Sequence, residues 1–85
     1  MHTTAEALIA RYLEPNPNRP GPADWWLKDF GVSVWALVGY WLTVDRDVDR
    51  VAAAYVVPTE AVEAALAYYA RNQEIIDARL AANAA

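Results

Sequence analysis

Gly31-Val32-Ser33-Val34-Trp35-Ala36-Leu37-Val38-Gly39-Tyr40-Trp41-Leu42-Thr43-Val44 is the stretch around which the rest of the chain has to fit. From Val34 to Leu42 it carries no charged residue on any face. A surface helix shows one apolar stripe and one polar side, whereas a segment that is apolar all round must be covered on all sides. The run is too short for a bilayer, which needs about 20 apolar residues. It reads as a central buried helix, with Ser33 placed to cap its first turn. Trp35, Leu37, Val38, Trp41 and Leu42 then point in several directions. A chain of 85 residues has little other protein with which to cover them. This surplus of aromatic surface points to a partner and not to a reaction.

Length and composition narrow the rest. One domain is expected, and a domain of this size buries only about 60% of the surface its unfolded chain exposes. There is no cysteine, which removes thiol chemistry and zinc–thiolate sites and fits a reducing compartment. The net charge of −4 lacks the basic excess from which most nucleic-acid binding starts. No charged-then-apolar leader pattern opens the sequence, so a cytoplasmic location is expected.

The chain divides into three parts: a helix in residues 1–14, a proline-rich connector in 15–23, and the main domain in 24–85. Thr3 with Glu6 three residues later makes a capping box for a short amphipathic helix running to Leu13. His2, the only histidine, reads as a solvated terminal residue. Pro15, Pro17, Pro20 and Pro22 impose an extended, stiff spacer between this helix and the domain. The PxxP spacing of Pro17 and Pro20 is a weak signal for a proline-recognition module. Trp25–Asp29 reads as one short extended segment or an irregular turn. There Trp25 and Trp26 face different sides, one of them free to anchor an interface.

Beyond the apolar run, Asp45, Asp47 and Asp49 imitate the start of a calcium loop. Arg50 stands where that loop needs glycine and Val56 where it needs a bidentate glutamate, so calcium is excluded. Asp47 instead reads as the cap of a helix from Val48 to about Tyr55, with Val48, Val51, Ala52 and Tyr55 as its buried face. Pro58 suits the first turn of the next helix. A short helix, a tight turn and a longer helix in series form a helix-turn-helix layout. From Thr59 to Leu80 the stripe Val62, Leu66, Tyr69, Gln73, Ile76, Leu80 runs at spacings of four and three, with a break or restart near Asn72. Ile75, Ile76 and Leu80 fall past the expected compact unit and suggest a helical tail that packs on something else.

No nucleophile–histidine pair, phosphate-cradling glycine loop or metal-ligand spacing occurs, so neither catalysis nor a cofactor or metal is expected. In a DNA-bound helix-turn-helix, the start of the second helix meets the major groove. Here that start offers Thr59, Glu60 and Glu63, and no lysine or arginine lies between Val51 and Ala70. Arg46, Arg50 and Arg71 are the nearest cations, and two glutamates repel phosphate.

Gly31-Val-Ser-Val-Trp-Ala-Leu-Val38, Val51-Ala-Ala-Ala-Tyr55, Glu60-Ala-Val-Glu-Ala-Ala-Leu-Ala-Tyr-Tyr69 and Ile76-Asp77 together resemble a family of small bacterial proteins. It is domain of unknown function 433, often described as VapB-like antitoxins. The likeness spans about Leu27 to Leu80. Lys28-Asp29-Phe30-Gly31 stands where the family usually has a Gly-Thr-Arg-like turn. The resemblance implies a helix-turn-helix-like fold, a PIN-like nuclease toxin as partner, and self-association. The expectation is therefore a mainly α protein, a homodimeric antitoxin-like subunit whose partner surface draws on Trp25, Trp26, Trp35, Trp41, Tyr69, Ile75, Ile76 and Leu80. The alternatives are a DNA-binding regulator using Arg46, Arg50, Thr59 and Arg71, or a structural subunit of a larger assembly.

Overall fold

A computed structural model describes residues 4–84. Along the chain run α1 (Ala5–Tyr12), β1 (Leu13–Glu14), a single 3-10 turn (Pro22–Asp24), β2 (Trp26–Leu27), α2 (Val34–Thr43), α3 (Val48–Tyr55), α4 (Thr59–Arg71) and α5 (Gln73–Ala84). The protein is mainly helical, as the composition and periodicity predict, with one two-stranded antiparallel sheet. No described helix is long and apolar enough to cross a membrane.

The hub is α4 and not α2. It touches each of the other four helices and buries Ala61, Val62, Ala64, Ala65 and Tyr68. Three of those are alanines, whose small side chains let neighbouring helices approach on several sides at once. α2 buries only the stripe Val34, Leu37 and Val38, while Trp35, Tyr40 and Trp41 are half-buried and Leu42 is exposed. α2 is therefore covered on one side only, and its uncharged flank is left partly in solvent, the surplus of apolar surface that the sequence predicts. The predicted stripe on α4 and α5 also shifts. Leu66 and Tyr69 are half-buried and Gln73 is exposed, whereas Tyr68 enters the core.

The first helix does not stand apart. α1 lies antiparallel on α4, with Arg11 and Tyr12 at Glu60 and with Glu6 reaching toward Arg71 at the other end. Its N-cap is Thr4, whose hydroxyl accepts from the Ala7 amide at 3.0 Å. Thr3 and His2 lie outside the described residues. The proline stretch folds back where a spacer was expected. Asn16 is buried, its side chain accepts from the Asn18 amide at 2.8 Å, and its carbonyl accepts from the Arg19 amide at 3.2 Å. This reversal brings Leu13 opposite Leu27 and Glu14 opposite Trp26. Leu13 and Leu27 are both core residues, so burial of this pair joins the N-terminal part to residues 24–85 as one hydrophobic unit.

After β2 the chain turns tightly. The Gly31 amide donates to the Leu27 carbonyl and the Leu27 amide to the Val32 carbonyl, with Asp29 and Gly31 both at positive φ, a geometry that favours glycine. Ser33 is the N-cap of α2 as expected, but its hydroxyl makes no capping bond. Its backbone is instead bridged to Trp26. Asp47 caps α3 by accepting from the Arg50 amide at 3.2 Å, as the sequence predicts. Asn72 separates α4 from α5 and acts as the C-cap of α4.

The expectation of a free C-terminal tail is overturned. Ile76 has no exposed surface and belongs to the core, and Leu80 packs against that core. Leu80 reaches α2 at Gly39, where an added Cβ would stand 3.0 Å from a Leu80 methyl. The absent side chain lets α5 close onto α2. Arg79 ion-pairs with the buried Asp24 of the 3-10 turn, which pins the same helix from a second side. α5 thus closes the core, because the core formed by the other elements is too small to be complete without Ile76.

Candidate interaction surface

The residues singled out for partner binding divide into two sets. Ile76, Leu80 and Trp25 are used internally. Trp25 stacks on Tyr68 with ring centroids 5.1 Å apart, and the Tyr68 hydroxyl donates to the Pro22 carbonyl at 2.5 Å. Burial pushes the Tyr68 phenol up to about 12. Trp26 is half-buried and its indole N–H donates to the Glu14 carboxylate at 2.9 Å, which stitches the two strands together. Trp35 is half-buried against the core. Ile75 is 40% exposed at an open groove formed with Arg71, Glu74 and Ala78 where α4 meets α5.

Trp41 and Tyr69 form the other set, joined by a residue that the sequence assigns only to the DNA alternative. The Arg46 guanidinium lies over the Trp41 indole, 5.5 Å from its centroid. It is close enough to Tyr69 for its charge to be felt at that phenol. The Tyr69 hydroxyl donates to Asp77 at 2.7 Å, and this hydrogen bond is the main reason its pKa is raised. Leu42, next to Trp41, is 42% exposed. Arg46 makes no ion pair among the described residues.

Local strain concentrates at the same corner. Asp45 and Arg46 both hold positive φ, at 55° and 60°. L-residues with side chains enter this region at a cost. The Trp41 indole N–H is buried with no acceptor among the described residues, and an unmatched donor of this kind costs about 1–3 kcal/mol. Strain and an unmet donor at one corner are features that persist at functional sites. Sequence reasoning finds Trp41 and Tyr69 but misses their joining. No periodic spacing links Arg46 to Trp41. Only the left-handed turn at Asp45 and Arg46 brings the guanidinium back over the indole.

The residues of the DNA alternative have different surroundings. Arg71 faces Glu6 at 3.8 Å, Arg46 covers Trp41, and Arg50 and Thr59 are exposed. α3, the Val56–Pro58 turn and α4 do follow the helix-turn-helix order. However, α1 lies along α4 and holds its first turn through the Tyr12 hydroxyl, which donates to Glu60 at 2.7 Å. That hydrogen bond is the first cause of the raised Tyr12 pKa. The side chains that α4 leaves exposed, Thr59, Glu63, Ala70 and Arg71, include one cation, and Arg71 faces Glu6. Among the described residues, no group of three histidine, cysteine, aspartate or glutamate side chains is placed to hold a metal ion.

No protein family model matches the chain, and no curated protein or solved structure matches it. The segments that carry the resemblance drawn from the sequence fall in the β2–α2 turn, α2, α3, α4 and α5. They supply Val34, Leu37, Val38, Val51, Ala61, Val62 and Ile76 to the core. Most of the residues in those segments are therefore packing residues.

Proposed function

We propose that this chain is an antitoxin-like interaction subunit that binds and restrains a PIN-like nuclease toxin, as a cytoplasmic homodimer. The observation that carries the reading is the Arg46 guanidinium held over Trp41 and within electrostatic reach of Tyr69, with Leu42, next to Trp41 in the chain, exposed. Tryptophan, tyrosine and arginine are the residue types that supply most binding energy at protein interfaces. Arg46 has no carboxylate partner among the described residues, and its planar fork suits a carboxylate on another protein. The family resemblance supplies the class of partner.

The test is co-expression with the PIN-like nuclease that the proposal expects to be encoded nearby, followed by purification through a tag on this chain. A stoichiometric complex is expected for the wild type, and Trp41→Ala or Arg46→Glu should weaken it at least tenfold. A complex that survives both substitutions unchanged would show that the partner binds elsewhere.

A further inference from the structure

α1 is lightly held. None of its residues is fully buried, and Leu8, Ile9 and Tyr12 lie half-buried against the core. The rest of its attachment is polar: the Tyr12 hydroxyl on Glu60, the Lys28 ammonium donating to the Ala10 carbonyl at 2.6 Å, and Glu6 facing Arg71 at 3.8 Å. The N-terminal segment enters the core at Leu13, beside the two-residue pairing of β1 with β2. Segments with few buried apolar contacts open at lower free energy than the rest of a fold.

The connector that follows is built to straighten. Residues 15–21 reverse the chain through Asn16, which accepts from the Asn18 and Arg19 amides, and they end in Gly21 at φ 134°, a conformation suited to glycine. Their composition favours the extended state. Pro15, Pro17, Pro20 and Pro22 each fix φ at about −65° and push the residue before them toward extended backbone. Pro17, Asn18, Arg19 and Pro20 are exposed, so straightening them uncovers no core. At about 3.3 Å per residue the seven residues span about 23 Å, comparable with the 22 Å shortest dimension of the protein. The segment they carry can therefore reach a second copy.

We propose that two copies of this chain exchange their N-terminal segments: α1 and β1 of one copy leave their own α4 and β2 and dock on those of the second, across a two-fold axis. The inference rests on the self-association in the proposed function and supplies its contacts. The occupant of the receiving surface is fixed by the fold, because α4 and β2 already hold this segment. Each contact recurs between chains, with Leu13 opposite Leu27, Tyr12 on Glu60 and Lys28 on Ala10. The closed and exchanged forms therefore differ in the connector and in the entropy of association. Each copy donates the ten residues of α1 and β1 and receives the same ten, a contact on the scale of the roughly 20–30 residues a side of a standard interface.

The chain has no cysteine, so single introduced cysteines report which chain holds which segment. Glu6→Cys and Arg71→Cys alter exposed positions that face each other across α1 and α4. The two variants are mixed at about 1 mM, left to exchange, diluted and cross-linked with a short bis-maleimide, with sedimentation equilibrium of the wild type from about 10 μM to about 1 mM alongside. The expected result is a wild-type monomer–dimer equilibrium and a covalent product joining one chain of each variant, in at least tenfold excess over products joining like with like. A chain carrying both substitutions is the control, and its internal cross-link shows that the positions are within reach. A wild type that stays monomeric to about 1 mM would overturn the proposal. So would a dimer that gives no mixed product although the control links internally, because its interface lies elsewhere. A control that does not link would mean that α1 is not docked on α4, which overturns it too. A wild type that exchanges segments but binds no nuclease would count against the proposed partner alone, and a monomer that binds nuclease would count against the exchange alone.

Discussion

Ile76→Ala should remove a large part of the stability of the whole domain. The Ile76 side chain has no exposed surface and sits in the core of a chain that has little material to spare. Truncating a buried isoleucine costs about 2–5 kcal/mol, through lost transfer energy and the cavity left behind. At roughly 0.05–0.15 kcal/mol per residue, a chain of 85 residues has about 4–13 kcal/mol in total. Midpoint against midpoint, the substitution removes roughly two-fifths of the margin. With a urea dependence of about 1 kcal/mol per molar for a small domain, the unfolding midpoint should fall by roughly 2–5 M. Ile75→Ala is the control, because Ile75 is 40% exposed at the preceding position of the same helix. It should change stability by less than about 1 kcal/mol, as surface substitutions do. If both variants lost the same small amount, α5 would be a free tail and the description of the core would be wrong.

Arg79→Met leaves Asp24 buried without its cation, and should cost about 2 kcal/mol or more in urea unfolding; a variant as stable as wild type would show that the pair contributes nothing. Gly39→Val places a branched side chain where even a Cβ would stand 3.0 Å from Leu80, and should destabilise by about 1–3 kcal/mol in thermal melts; an unchanged melting temperature would mean that α5 does not close on α2 as described. Tyr68 is held protonated by burial, with its pKa raised from 10.0 to about 12 in the folded chain. Its contribution to stability is therefore present below pH 10 and is lost as pH rises from 10 to about 12. Tyrosinate absorbance should show a late-ionising group that disappears in Tyr68→Phe, and a titration with no late phase would refute its burial.

Local signals in the sequence are legible where one residue and its neighbours decide the outcome. Asp47 as a helix cap and the break at Asn72 follow from capping and turn chemistry close in sequence, and of the two readings of Trp25–Asp29 the extended one is realised over Trp26–Leu27. Long-range packing is less legible. Prolines between Pro15 and Pro22 suggest separation, but the Asn16 turn and the Leu13–Leu27 pairing depend on a partner strand that proline content does not reveal. The role of α4 as hub is hidden because Ala61, Ala64 and Ala65 weigh little in a hydrophobic pattern, yet small size is what admits several neighbours. Ile76 and Leu80 look like partner contacts in the sequence because the core they complete is assembled from elements far away in the chain. Of the interaction surface, Trp41 and Tyr69 are visible as surplus aromatics. Their union through Arg46 depends on a left-handed turn that no residue type announces.

The most direct test of the proposed function is a titration of a PIN-like nuclease, the class of partner proposed, with purified protein, with nuclease activity as the readout. The expected result is stoichiometric inhibition by the wild type and by Ile75→Ala, with inhibition weakened at least tenfold in Trp41→Ala and Arg46→Glu variants that melt normally. Undiminished cleavage at saturating wild-type protein, or equal inhibition by all four proteins, would contradict the assignment of this surface.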